Sequence, residues 1–141
     1  MPRLARFGYL RQHMTLPLPA AHLLGTGQIV QMLSKTLGFY AELEKAEFIV
    51  TTACTGTSAS QTFNVRKGTA AGTVCGTVVP TLAATGTIGN VVVGTITSST
   101  GQNKFTDTDT VSVERAASGT AFTAGDGYLL LTWRVLPQQR T

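Results

Sequence analysis

The chain has 141 residues, 43% of them hydrophobic and only 13% charged, which suits one packed domain with an extension, with about half the usual share of charge. No run of 18 or more apolar residues occurs, so the sequence holds no spanning helix. The net charge of +4 comes from the opening: residues 1–41 contain Arg3, Arg6, Arg11 and Lys35 and no acid, while the remaining seven basic residues are matched by seven acidic ones.

The opening stretch MPRLARFGYLRQHMTLPLPAAHLLGTG reads as an extended arm. Pro17 and Pro19 in TLPLPAA are expected to break any helix and force extended backbone there. Gly25 and Gly27 add a joint. Its leucines and aromatics need a surface, since full burial of each is worth about 1.5–3 kcal/mol. The mixture of Arg with Leu, Phe and Tyr matches a protein-interface peptide better than a nucleic-acid tail, which is denser in Lys and Arg. The prolines also oppose a presequence, and TLPLPAAHLLG is too broken for a secretory signal. Arg3, Arg6, Phe7, Tyr9, Arg11, Leu16, Leu18 and Leu23 are therefore the expected partner-contacting residues, with nucleic acid and membrane disfavoured as partners.

Residues 28–35 suggest a short helix or turn, because Ile29, Leu33, Leu37, Tyr40 and Leu43 form a helical stripe. A strand is expected at about 38–43. From residue 46 onward the pattern is β throughout: EFIVTTA at 47–53, TFNVRKG at 62–68, GTVCGTVV at 72–79, a short strand at 81–85, GNVVVGTITSS at 89–99, TDTVSVERA at 108–116 and GYLLLTWRVL at 127–136. Turn signals rich in Gly, Ser, Thr and Asn separate them. Seven or eight short strands with no helical crossover imply an all-β sandwich or barrel. The expected organisation is an N-terminal arm over 1–35 and a sandwich domain over 36–141.

Chemistry is sparse. The two histidines, His13 and His22, both fall in the opening segment, so a nucleophile–base triad lacks support. Cys54 and Cys75 lack CxxC spacing and read as two small buried thiols. Glu42, Glu44 and Glu47 beside Lys45 read as a solvated edge. Asp107 and Asp109 form only a D-x-D pair, a weak cation signal, and read as turn caps, as does Asp126. GTG at 25–27 lacks the third glycine and preceding strand of a dinucleotide fingerprint. Trp133 reads as core. No catalytic, cofactor-binding or metal-binding residue is assigned, and an enzyme is not expected.

Three stretches, TTACTGTSASQTFNVRKG, NKFTDTDTVSVERAASGT and AGDGYLLLTWR, resemble the small β-sandwich proteins of tailed-phage virions. The resemblance covers roughly residues 46–134 and implies a jelly-roll domain of the kind used in head decoration (cement) proteins and in fibre or spike modules, often trimeric. It implies Phe63, Val65, Val111, Val113, Leu131 and Trp133 as core and Arg66, Lys67 and Arg134 as exposed. The expected function is a structural virion protein, made in the host cytoplasm. As a homotrimer on the capsid surface it would bind and stabilise the shell of major capsid protein. The alternative is a tail fibre or spike module that binds a receptor or glycan.

Overall fold

The computed structural model describes residues 10–18, 20–69, 72–117 and 120–137. Its strands are β1 (Arg11–Leu18), β2 (Ile29–Thr36), β3 (Ala41–Thr55), β4 (Phe63–Lys67), β5 (Thr73–Val78), β6 (Val91–Val93), β7 (Thr95–Ile96), β8 (Lys104–Phe105), β9 (Thr110–Arg115) and β10 (Ala124–Val135). Two α-helical turns, α1 (Ala20–Leu24) and α2 (Leu82–Thr85), and a 3-10 turn at Ser99–Gly101 interrupt them.

The strands form two antiparallel sheets. The front sheet runs β1-β10-β3-β6, with β8 also paired to β3; the back sheet runs β2-β9-β4-β5-β7. The pairings are nested: β1 lies on β10, β2 on β9, β3 on β6 and β4 on β5. A chain folded as nested antiparallel pairs and wound across two sheets is a jelly roll, so the expected all-β sandwich is the observed fold. Gly94 marks where the chain leaves the front sheet for the back one. A Cβ there would lie 2.6 Å from the Thr77 carbonyl oxygen and 2.7 Å from that of Ala46, so only glycine passes between the two backbones.

Alternate residues of both sheets meet in one core. Phe48, Phe63, Phe105, Phe122 and Trp133 supply its bulk, and all six residues expected as core are buried. The Phe105 and Trp133 rings meet edge to face, with centroids 4.9 Å apart at 88°, a favoured aromatic geometry. Cys54 and Cys75 are buried free thiols.

Several sequence expectations are corrected by this arrangement. The boundary at residue 35 does not separate an arm from a body, because β1 and β2 are members of the two sheets. In β1, Met14, Leu16 and Leu18 alternate with Thr15 and Pro17, which is a strand with one apolar face. Proline is tolerated there because β1 is an edge strand, where its missing N–H breaks no ladder on the open side. Pro19 does not prevent α1, which begins immediately after it; a proline blocks a helix that passes through it, not one that starts beyond it.

Residues 29–36 form a strand, not a helix. The misleading stripe has a specific cause. Residues four apart share a face of any strand, since the side-chain period is two, so the spacing of Ile29, Leu33 and Leu37 fits a strand as well as a helix. Ile29 pairs with Arg115 and Leu33 with Val113, so four residues of β2 span two of β9 through a register shift. Conversely, most of the expected 81–85 strand is the helical turn Leu82–Thr85: Leu82, Ala83 and Ala84 are strong helix formers, and the Thr85 hydroxyl donates to the carbonyl of the extended Thr81 at 2.9 Å. The strands expected at about 38–43 and at 47–53 are parts of one 15-residue strand, which begins at Ala41. Since β3 lies between β10 and β6, its glutamates stand on a central strand and not on an edge.

Candidate interaction surface

The outward side chains of the front sheet follow from its register. Arg11, Arg134 and Glu42 form one row across β1, β10 and β3; His13, Thr132 and Lys45 form the next. Thr15, Leu130, Glu47 and Val93 form a third row, and Pro17, Tyr128, Ile49 and Val91 a fourth. The first row is charged and the last is apolar.

The charged end is internally paired. Arg11 Nε donates to Glu44 Oε2 at 2.9 Å, and Arg134 Nη2 donates to Glu42 Oε2 at 2.5 Å. Glu44 reaches this row because the register shifts between Thr132 and Trp133, leaving Glu44 unpaired opposite β10. Thr132 Oγ1 and His13 Nδ1 are 3.3 Å apart.

The apolar end is open. Val93 is 71% exposed and Val91 48%, while Ile88 in the preceding turn is 66% exposed. Leu130, Tyr128 and Ile49 are half-buried beside them. Among the described residues β6 is the edge of this sheet and pairs only with β3. Val50 and Gly94 N–H groups donate to the Asn90 and Ala46 carbonyls, so Asn90, Phe48–Val92 and Gly94 mark the bonded positions. The N–H and C=O of Val91 and Val93 then face the open side. An exposed apolar edge with free backbone groups is a template for another chain.

The back sheet presents the opposite arrangement. Glu114 on β9 is only 3% exposed although it points away from the core. Arg66 Nη2 and Asn64 Nδ2 donate to its Oε1 at 2.5 and 2.9 Å, and Gln28 Nε2 donates to its Oε2 at 3.2 Å. Arg66 also donates to the Gly72 carbonyl at 2.7 Å, and the Thr77 hydroxyl donates to Asn64 Oδ1 at 3.0 Å. Burial alone would raise the Glu114 pKa; the hydrogen bonds from Arg66, Asn64 and Gln28 outweigh it and hold the carboxyl below its ordinary value. Arg66, expected to be exposed, is half-buried because it closes this network.

A second polar cluster pins the segment between β1 and β2. Arg115, 5% exposed, donates to the His22 carbonyl at 2.7 Å and twice to the Gly27 carbonyl, at 3.0 and 2.6 Å. Gln61 Nε2 donates to the Leu23 and Gly25 carbonyls at 2.8 and 2.7 Å. Burial lowers the Arg115 pKa. Burial, and then the nearby Arg115 charge, lowers that of His22, so His22 is kept neutral.

The expected contact residues therefore separate. Leu18 and Leu23 are fully buried in this chain's own core and have no surface to offer a partner. Leu16 faces inward and packs against the core. Arg11 is about half exposed and engages Glu44. Arg3, Arg6, Phe7 and Tyr9 lie outside the described residues. Sequence reading missed Val91 and Val93 as surface residues: their alternation was visible, but which face was inward depended on the pairing with β3.

The other candidate residues have structural roles. Asp109 Oδ2 accepts the Thr106 N–H at 2.7 Å, as a turn cap. Asp126 lies within β10, where its carboxylate accepts from the Thr52 hydroxyl at 3.4 Å. Burial pushes the Cys75 thiol up to about 12 and also raises that of Cys54, so neither is poised as a thiolate. Among the described residues, no group of three or more His, Cys, Asp or Glu side chains is placed to hold a metal, and no helix is long and apolar enough to cross a membrane.

No protein-family profile matches the chain, and no curated protein matches it. Among solved structures it is similar to a chain in the structure of infectious bursal disease virus, Gx strain, at 11% identity and a TM-score of 0.34. The match covers 88% of this chain and 32% of the viral chain, so the chain spans about a third of that protein's length.

Proposed function

We propose that this chain is a structural protein of a virus particle, a decoration protein that binds the outer shell of major capsid subunits as a homotrimer and stabilises it. The observation that carries the reading is the front sheet's open edge, with Val91, Val93 and Ile88 exposed in a chain that is only 13% charged. Such a surface gains from being covered. A partner bound only by the assembled shell stabilises that shell by mass action, and many modest contacts on a symmetric lattice add by avidity.

The N-terminal contribution is confined by the fold. Residues from Arg11 onward are held in a sheet, so the partner-binding arm reduces to residues 1–9, with Arg3, Arg6, Phe7 and Tyr9 as its anchors and Arg11 at its root. Removing residues 1–9 leaves every described strand in place and is expected to keep the melting temperature while weakening binding to purified particles. Removing residues 1–27 also deletes β1 and α1, with Leu18 and Leu23, and is expected to unfold the domain. A 10–141 fragment that decorates particles with unchanged affinity overturns the arm. Copy number separates this role from a tail fibre or spike: hundreds of copies spread over the head support decoration, and a few dozen at the tail refute it.

A further inference from the structure

A groove of about 430 Å³ opens where β3 begins and β10 ends. Tyr40, Phe105 and Leu136 form its apolar wall, and Lys67, Lys104, Arg134 and Glu42 its polar lining. The volume falls within the range of small-molecule sites, which starts at about 300 Å³. Its charges are not equivalent. Glu42 is occupied by Arg134 at 2.5 Å. The Lys67 ammonium is fixed from three sides: it donates to the Lys104 carbonyl at 2.7 Å, lies 3.7 Å from the Asp109 carboxylate and stands 5.7 Å from the centre of the Phe105 ring. The exposed Lys104 ammonium has no ion pair or hydrogen bond among the described residues. The loop that carries it turns through Thr100 at φ 55° and Gly101 at φ 72°, and Gly101 lines the groove. A threonine in the left-handed region costs about 1 kcal/mol, so this rim conformation is imposed by its surroundings.

We propose that this groove binds a carboxylate-bearing sugar ring, an acidic pyranose. The carboxylate would meet Lys104, the one cation of the groove with no partner among the described residues, with Lys67 as a fixed second positive charge. The apolar face of the ring would lie on Tyr40 and Leu136. The chemistry favours a compact anion over a polyphosphate, because the basic residues surround one short groove and do not track along the surface. The site is independent of the capsid reading and stands or falls without it.

The test is titration of the isotopically labelled protein with sodium glucuronate and, separately, with N-acetylneuraminate, at constant ionic strength, following backbone amide signals by NMR. Glucose and acetate are the controls, one a ring without charge and the other a charge without a ring. The expected result is saturable movement of signals from residues 101–106 and 134–136 with at least one acidic sugar, and at least tenfold weaker binding of both controls. Lys104→Gln removes one charge-assisted hydrogen bond from an exposed position and should weaken binding about tenfold without altering the remaining spectrum. Acetate binding as tightly as the sugars, no saturable movement with either sugar, or unchanged affinity in Lys104→Gln overturns the proposal.

Discussion

The two outer faces of this sandwich are built from strands of one chain with the same alternation, yet they solve opposite problems. The back face is polar and closed. Glu114 is buried on it because Arg66, Asn64 and Gln28 occupy both of its oxygens. The front face is apolar at one end and open, with Val93 71% exposed at a sheet edge. Polarity alone would nominate the back face for contact with solvent or partners. Satisfaction of the groups points the other way: the Glu114 carboxylate on the polar face is met within the chain, whereas the apolar edge presents exposed valines beside outward-facing backbone groups. The comparison predicts that substitutions on the back face cost folding, whereas those on the front edge cost association.

Glu114→Ala should show the largest effect. It removes the acceptor of three hydrogen bonds and leaves the half-buried Arg66 guanidinium without its counter-charge, at a cost of about 2–4 kcal/mol. Urea denaturation monitored by Trp133 fluorescence would show the midpoint fall with an unchanged slope. A loss below about 0.5 kcal/mol would mean that the network is an ornament of the surface and the contrast between the faces is wrong.

Acid should sharpen the same contrast. The Glu114 pKa is held below its ordinary value of 4.5, so near and below that value the unfolded chain binds the proton first. Its contribution is fully present above 4.5 and is lost as pH falls through the lowered native value. Glu114→Gln should be less stable at neutral pH, and its deficit relative to the unsubstituted protein should shrink on acidification below pH 4.5. His22 adds an earlier, smaller slope. Its lowered native pKa means that the unfolded chain takes up the proton below the ordinary value of 6.5, so stability declines as pH falls from there. His22→Gln should flatten the decline between pH 6.5 and 5, measured by thermal melts across that interval.

How much of this was legible in the sequence depended on whether local pattern and tertiary pairing agreed. From residue 46 they mostly agreed: Val111, Val113, Leu131 and Trp133 alternate with polar neighbours and are buried. At β2 the local pattern was ambiguous, because the spacing of four from Ile29 to Leu33 and Leu37 fits a period of two as well as a helical turn, and only the pairing with β9 decided between them. At β1 two prolines and a basic composition obscured a plain alternation of Met14, Leu16 and Leu18, and the edge position that tolerates Pro17 is a property of the sheet, not of the segment. The charge arithmetic located the basic opening but could not say that Arg11 meets Glu44, 33 positions away. The surface at Val91 and Val93 was illegible for the same kind of reason. Two valines that alternate with a third give no sign of which set faces the core until β3 supplies the other side.

The smallest stability effect carries the sharpest test of the front face. Val93→Lys places a charge at a position 71% exposed, on an edge strand where lysine is a common guard against pairing. The folded monomer should change by no more than about 0.5 kcal/mol, and Val93→Thr, which keeps β-branching, should change less. Association should respond differently. A lysine buried in an apolar contact must shed its hydration without a partner, so binding to purified particles, and self-association measured by sedimentation, should weaken at least tenfold in Val93→Lys and little in Val93→Thr. A lysine variant that unfolds the domain would show that the edge is part of its core after all. One that folds, trimerises and decorates particles as before would leave the exposed valines without a function and would move the search for the contact surface to residues 1–9.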